Sequence, residues 1–463
     1  MNRTRALEIA LALAVAVAFA DSSIVVLALP ELYVDLDTSI VGISWVITAY
    51  NLVVLIATLA LLPFVRRLRP APLVLAGLGV FLAASITCGL ADSLEVLIAA
   101  RAVQGLGGAF LLAGSLPLLA GLAGSTKRGI AIWATAGTLG ATFGPALGGL
   151  LTEVFSWRAI FFVQAPLAAL AIVAALIPHK PIPEPEVRRP HPRGLVLANV
   201  ALVFVFGALV GALFLAVLLI VTVWDFGPLP GALVVSALPI AALAVRPLAA
   251  RLPGTLDLVG GVLLLAGGLV ALAFLPAASA AYAVPALAFC GAGLGLVLPP
   301  LTHDSVSDES SLAWTGTLSV ATRHAGLVLA LLLVAPLLAY ELEKGGDEAT
   351  VAAARVIIEA PLPLTSKIPI ALDLRDQFEQ TPEGEIPDLA KPFEENGAAD
   401  EPEVAAVRDD LLDAIRGALT RAFRSSFGLC ALFALLVLVP ALAGRRAARS
   451  LPVDRSAEVV QVG

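Results

Sequence analysis

From residue 6 to residue 339 the chain runs through one mostly apolar stretch after another, parted only by short polar breaks. Crossing a bilayer as a helix takes about 20 such residues. Spans fall at roughly 6–29, 40–64, 72–91, 94–120, 129–153, 158–178, 195–223, 229–250, 255–276, 280–301, 311–339 and 425–444, which makes twelve. A water-soluble core cannot absorb this much apolar surface. Of the residues, 59% are hydrophobic and 14% charged, whereas soluble domains carry about 25% charged residues. The sequence therefore predicts an all-α integral membrane protein embedded in a lipid bilayer.

The first span has one feature of a secretory leader, because Arg3 and Arg5 precede it and Ala18-Phe19-Ala20 looks like a cleavage site. Its apolar character resumes after Asp21 and continues to Pro30, which suits a full span. Cys88, Cys290 and Cys430 all lie inside apolar runs without paired or metal-type spacing and read as small core residues. No metal and no cofactor is expected.

Orientation follows from the short loops, since cytoplasmic loops keep the excess of Lys and Arg. With the N-terminus inside, the cytoplasmic segments hold Arg3, Arg5, Arg66, Arg67, Arg69, Lys127 and Arg128. Further inside segments hold Lys180, Arg188, Arg189, Arg193, Arg445, Arg446 and Arg449. The opposite loops carry Glu31, Asp35, Asp37, Asp92 and Glu95. Both termini are expected in the cytoplasm. The loop from His303 to Ser311, with Asp304, Asp308 and Glu309, runs against the trend, but acidic residues weigh little in this rule.

Residues 341–424 break the pattern of short loops. They hold 19 Asp and Glu against 9 Lys and Arg, a net of 9 − 19 = −10, so the overall charge of −7 belongs to this outer insert. The acidic balance gives no sign of nucleic-acid binding. Val404, Val407, Leu411, Ile415, Leu419 and Phe423 recur at helical spacing and predict an amphipathic helix feeding span 12. The Pro- and Glu-rich middle, around Thr381 to Pro402, reads as a solvated spacer. The sharper alternative is a cap on the outer mouth.

Membrane carriers are commonly built from repeats. Gly105, Gly107 and Gly108 with Pro117 in span 4 match Gly291, Gly293 and Gly295 with Pro299 in span 10, an offset of 291 − 105 = 186. The same shift carries span 2 toward span 8 and span 5 onto span 11. The expected organisation is an N-terminal six-helix half (1–178), a cytoplasmic linker (179–194) and spans 7–11 (195–340). The acidic insert (341–424) and span 12 with its tail (425–463) follow.

Several of these residues carry a family resemblance. In span 5, Gly137, Gly140, Gly144, Pro145, Gly148 and Gly149, followed by Trp157-Arg158, resemble the antiporter signature of major facilitator drug exporters. Arg101-Ala-Val-Gln104-Gly105 resembles the arginine-bearing motif of the same superfamily. Span 1 around Asp21, span 2 with Trp45, Thr48 and Tyr50, and Arg323-His324-Ala-Gly326 in span 11 are similar to its drug:proton antiporter branch. The resemblance implies a major-facilitator-type fold of twelve transmembrane helices in two six-helix halves. It also implies a monomeric, proton-coupled exporter integral to a bacterial cytoplasmic membrane. Two features depart from the pattern. Phe64-Val-Arg66-Arg67-Leu-Arg69-Pro70 lacks the Gly and Asp of the usual loop between spans 2 and 3, and the extra central hairpin of fourteen-span members is missing.

The residues support this reading without the name. Helices in lipid gain no hydrophobic drive from meeting, so small residues decide where they approach closely. Gly137, Gly140, Gly144 and Gly148 share one face, and Pro145 can bend that helix. Charges at membrane depth cost at least about 2.5–3.5 kcal/mol and mark function. Asp21 is the one acid well inside a span, and counting about 1.5 Å per residue puts it level with Arg101. The pair reads as either a structural salt bridge or the proton-coupling group. Arg323 and His324 lie near the middle of span 11, and His324 is a second candidate for coupling. Trp45, Tyr50, Gln104 and Arg323 are candidate lining for the substrate cavity.

The expected function is export of a small amphipathic or cationic molecule in exchange for protons. An uptake symporter or facilitator is the rival within transport, and a non-transporting receptor presenting the acidic insert is the rival of another class. No Walker-type glycine loop is present to use ATP, and no grouping of His, Cys or Ser with catalytic spacing suggests an enzyme.

Overall fold

In hydrocarbon each backbone amide must find its partner within its own helix, and Leu, Ala and Val fill the runs without interruption. A computed structural model describes residues 3–177, 192–249, 254–306, 311–360 and 402–449, together with Leu372 and Asp376. These are helical nearly throughout, and no strand occurs among the described residues. Lys180, Arg188, Arg189, Asp308, Glu309, most of the 179–194 linker, the middle of the acidic insert and the tail beyond Arg449 lie outside the described residues.

Among the described residues, ten helices are long and apolar enough to cross a membrane, and an eleventh, Thr126–Val154, is bent by 44°. The expected span 1 is the helix Arg3–Ala20 with its short continuation Leu29–Asp35, which falls outside that count. Spans 2 to 6 are Ile40–Leu61, Pro70–Gly89, Leu94–Ala123, Thr126–Val154 and Trp157–Leu176. Serine side chains start four helices by accepting an amide hydrogen that no earlier carbonyl can serve. These are Ser39 from Gly42, Ser93 from Val96, Ser125 from Arg128 and Ser279 from Ala281. In the second half span 7 is Pro192–Val217, ending in a π-helical turn at Leu218–Val223. Span 8 is built from Pro228–Val235 and Ala237–Ala244, span 9 is Gly254–Ala273, span 10 Ala280–Ser305 and span 11 Leu312–Glu359. Span 12 is the broken run Pro402–Ala422, Arg424–Leu436 and Leu438–Arg449.

The glycine offset of 186 reappears as repeated packing. Gly105 lies against the backbone of Tyr50 in span 2 and Gly107 against Gly77 and Phe81 in span 3. Their counterparts Gly291 and Gly293 lie against Leu238 in span 8 and Gly261 in span 9. Close backbone approach, which only a missing side chain permits, therefore fixes the same three-helix unit in each half.

Two sequence expectations change. Span 1 is not one helix to residue 29: it unwinds over Asp21–Val25, and a short 3₁₀ turn, Val26–Ala28, re-enters the helix Leu29–Asp35. The expected boundary at 340/341 falls inside a continuous helix, because span 11 runs for 48 residues, Leu312–Glu359. At 1.5 Å per residue that is about 72 Å, more than twice the roughly 30 Å of a hydrocarbon core. Its projecting end is no loose spacer. Leu342, Ala349 and Ala353 are buried on one face, as are Leu411, Ile415 and Leu419 of the expected amphipathic helix. Glu348 and Arg421 approach to 3.9 Å across this two-helix stalk.

Candidate functional site

The break in span 1 is the centre of a buried polar network that involves only the first half. Arg101 is fully buried and donates through Nη1 to the Asp21 carboxylate and to Gln104 Oε1 (2.7 Å). Its Nη2 donates to the Asp21 carbonyl (3.2 Å) and its Nε to the Val46 carbonyl (2.9 Å). The other Asp21 oxygen accepts from Gln164 Nε2 (2.7 Å), and Gln104 Nε2 donates to Gln164 Oε1 (2.7 Å) and Ser85 Oγ (2.9 Å). The guanidinium lies 4.6 Å from the ring of Tyr50, whose hydroxyl donates to the Ala18 carbonyl (2.8 Å). A buried ion pair survives desolvation only when its remaining donors and acceptors are satisfied, and this one meets that condition.

The glycine face of span 5 packs on the same broken segment. A side chain at Gly140 would strike the Ala16 carbonyl and one at Gly148 the Ile24 carbonyl, while one at Gly144 would stand 2.6 Å from Ser23 Oγ. Pro145 removes the amide that the Ala141 carbonyl would otherwise receive. Ser23 Oγ, shared with the Ala20 carbonyl (3.1 Å), reaches that carbonyl at 3.4 Å. The bend of span 5 falls between Ala141 and Phe143, at this crossing. Glu8 adds a tie between spans 1 and 5, accepting from Arg128 at 2.6 Å.

The opposite side of span 5 faces a cavity between the halves. A vestibule of about 1070 Å³ opens on the face that carries the start of span 1, between span 5 (Lys127, Thr138) and spans 8 and 10 (Arg246, Leu298). Thr138 and Thr302 also line the next chamber inward, and Gly137 and Arg323 line both that chamber and the innermost one. Ser22, Ser23 and His324 lie at the deep end. Toward the far face the halves meet: Gly149 lies against Ala232, and the Leu229 amide donates to Glu153 (3.2 Å).

Arg323 and His324 are the second half's basic side chains at the deep end of this cavity. The Arg323 guanidinium sits 5.2 Å from each of the rings of Phe19, Trp133 and Phe206. Its one polar contact is Nη2 donating to Thr302 Oγ1 at 3.4 Å, and its Nε is without a partner. Cation–π contacts contribute about 0.5–2 kcal/mol each, comparable to the cost of at least about 2.5–3.5 kcal/mol for a charge at this depth. His324 Nδ1 lies 2.7 Å from Asn51 Oδ1, and Asn51 Nδ2 donates to the Ile47 carbonyl. The histidine therefore donates from Nδ1 and leaves Nε2 bare, and this bond joins span 11 to span 2.

The structure thus brings Asp21, Arg101, Tyr50 and Gln104 together and places Gly137, Pro145, Arg323 and His324 on the cavity. Tyr50 and Gln104 belong to the network rather than to the cavity wall. Trp45 belongs to neither the network nor the lining of these three chambers, and it is 37% exposed. Gln164, Ser85, Asn51, Thr302 and the three rings around Arg323 escape the sequence reading. A lone amide or hydroxyl within an apolar run was the available signal for the first four.

The arrangement of two six-helix halves around a central cavity matches known proteins. The sequence pattern of the Major Facilitator Superfamily covers residues 11–339, and the chain belongs to that superfamily. Over 185 residues it is 38% identical to the multidrug resistance protein Stp of Mycobacterium tuberculosis, covering 38% of this chain and 34% of that one. Over 170 residues it is 34% identical to the multidrug efflux pump LfrA of Mycolicibacterium smegmatis, covering 36% and 34%. The matches span about a third of the length of these relatives. In fold it is similar to a bacterial homologue of the human lysosomal transporter Spinster, solved in an inward-facing, unoccupied conformation. That likeness has a TM-score of 0.58 at 15% identity and covers 96% of this chain and 99% of the other.

Proposed function

We propose that this transporter is a proton-coupled antiporter that exports small amphipathic compounds by alternating access. It would act as a monomer in a bacterial cytoplasmic membrane, with both termini inside. In that orientation the vestibule faces the cytoplasm and stands ready to load a compound for export. The efflux pumps among its relatives support the direction.

The observation that carries the reading is the seam between spans 1 and 5. One face of span 5 rests on the unwound segment that holds Asp21, and the other face is a wall of the cavity. Protonating Asp21 removes the charge that Arg101 binds, frees the backbone carbonyl clamped by the same guanidinium, and loosens residues 20–24. Span 5 then shifts on its glycine face and reshapes the cavity. The proton thus reaches the substrate through a moving helix, without direct contact. Reconstituted vesicles with a pre-set pH gradient test this. Adding an amphipathic fluorophore should dissipate the gradient with the fluorophore moving opposite to the protons, whereas joint movement would mean a symporter.

A further inference from the structure

Among the described residues two buried arginines, Arg101 and Arg323, lie in the membrane-spanning bundle, and they are held differently. Arg101 has a carboxylate and three further acceptors. Arg323 is 5% exposed and lines both inner chambers, yet no carboxylate among the described residues lies within ion-pair distance of it. Aromatic faces stabilise the cation without neutralising it. Asp21 cannot serve, because both its oxygens are engaged elsewhere and it does not line the chamber. Beside Arg323 the Ser22 hydroxyl is buried without a partner, and His324 Nε2 is likewise unmatched. Apart from Ser23, whose hydroxyl is bonded to the Ala20 and Ala141 carbonyls, the remaining wall, with Phe206, Leu209 and Leu213, is apolar.

We infer that this inner chamber binds the anionic group of the substrate, so that the exported compounds are amphipathic organic acids with one negative charge. The inference rests on the exporter reading above and narrows it. An uncompensated cation in low dielectric attracts an anion and repels a cation strongly. A planar guanidinium with Nε free presents donors that suit a carboxylate. Ser22 adds a third donor, and the bare Nε2 of His324 suits a hydroxyl or amide hydrogen beside the acid. The apolar wall takes the body of the molecule. Cationic compounds, expected from the sequence, are thereby disfavoured.

The test uses three matched probes: pyrenebutyrate, its neutral amide, and the corresponding trimethylammonium. With purified full-length protein, the carboxylate should bind at least tenfold more tightly than the ammonium. Arg323→Gln should bring the carboxylate-to-ammonium ratio to about one, while Arg323→Lys should keep most of it. These are ratios within one preparation, so a loss of folded protein does not imitate the effect. If Arg323→Gln does not fold, the wild-type ratio decides alone. Equal or tighter binding of the ammonium by the wild type would overturn the inference, as would an unchanged ratio in Arg323→Gln. Vesicle transport separates the two readings. A carboxylate that binds but is never moved defeats the exporter, whereas transport of the amide and ammonium without the carboxylate defeats the anion site.

Discussion

In the first half the buried charges are paired, and in the second they stand open to the cavity. Shifting by 186 residues superposes frameworks: Gly140 becomes Gly326 (140 + 186), and each rests on a backbone carbonyl of the first helix of its half, Ala16 and Val203. The same shift replaces Asp21 by Gly207 and Arg101 by Leu287, and it replaces Gly137 by Arg323 (137 + 186). A side chain at Gly137 would lie 3.3 Å from Arg323 Nη1. The small residue of one half makes room for the large one of the other. On the proposed mechanism, the difference means that a duplicated scaffold divides its labour, with one half holding the proton and the other the substrate.

The comparison breaks most visibly at the seam of spans 1 and 5. Gly144→Leu should insert into the membrane normally and reduce turnover to background in vesicle transport, because lipid tolerates the added bulk and the crossing at Ser23 does not. Normal turnover in this variant would mean that the two helices need not slide. Next in size is the voltage dependence of transport. A monoanion leaving as a proton enters moves two charges, so 100 mV supplies about 4.6 kcal/mol, enough for a gradient on the order of a thousandfold. Efflux of pyrenebutyrate should therefore steepen strongly under a valinomycin-imposed potential; half that steepness would mean that the anion leaves without a proton entering, and a flat response that anion and proton travel together with no net charge. Third, Arg101→Met should destabilise the protein by about 3–5 kcal/mol by leaving Asp21 buried and unpaired. Adding Asp21→Asn should restore most of that loss in a detergent melting experiment, and failure of the rescue would show that the pair is not what the network protects.

The smallest effect concerns a contact between the two halves. The loop between spans 2 and 3 lacks the Gly and Asp of the usual motif, but Arg66 lies 5.5 Å from the ring of Trp314 at the start of span 11. This contact joins the halves. Arg66→Ala should shift the balance between inward- and outward-open states by about twofold to fivefold, the equivalent of an exposed cation–π contact of about 0.5–1 kcal/mol. Accessibility of a cysteine placed at Thr138 measures that shift, and an unchanged rate would remove Arg66 from the gate.

Much of this was legible in the residues. The spans announce themselves by length, the common depth of Asp21 and Arg101 follows from counting residues, and the glycine face follows from spacings of three and four. The break at Asp21–Val25 was marked locally only by Asp21-Ser22-Ser23, and the apolar character that resumes after them suited one continuous span. The helix opens because Arg101, 80 residues away, takes up the Asp21 carbonyl. Trp45 misled because an aromatic ring in a span carries no mark telling lipid from cavity. The stalk was half legible: the periodicity of Leu411, Ile415 and Leu419 signalled the second helix. The first helix continues past Gly345, which lies against Leu419 and Ala422 of the second, a contact that no local spacing announces.

The central claim is that Asp21 carries the coupling proton through the seam, and Asp21→Asn tests it most directly. The amide fills the same space and keeps an oxygen for Arg101, but it cannot release a proton. In proteoliposomes one proton moving across 100 mV supplies about 2.3 kcal/mol, against about 1.4 kcal/mol for each tenfold gradient of a neutral compound. The variant should bind the neutral pyrene amide and exchange it downhill, yet fail to accumulate it against a gradient when a pH difference is imposed. Undiminished uphill transport by Asp21→Asn would contradict the account and pass the coupling role to His324.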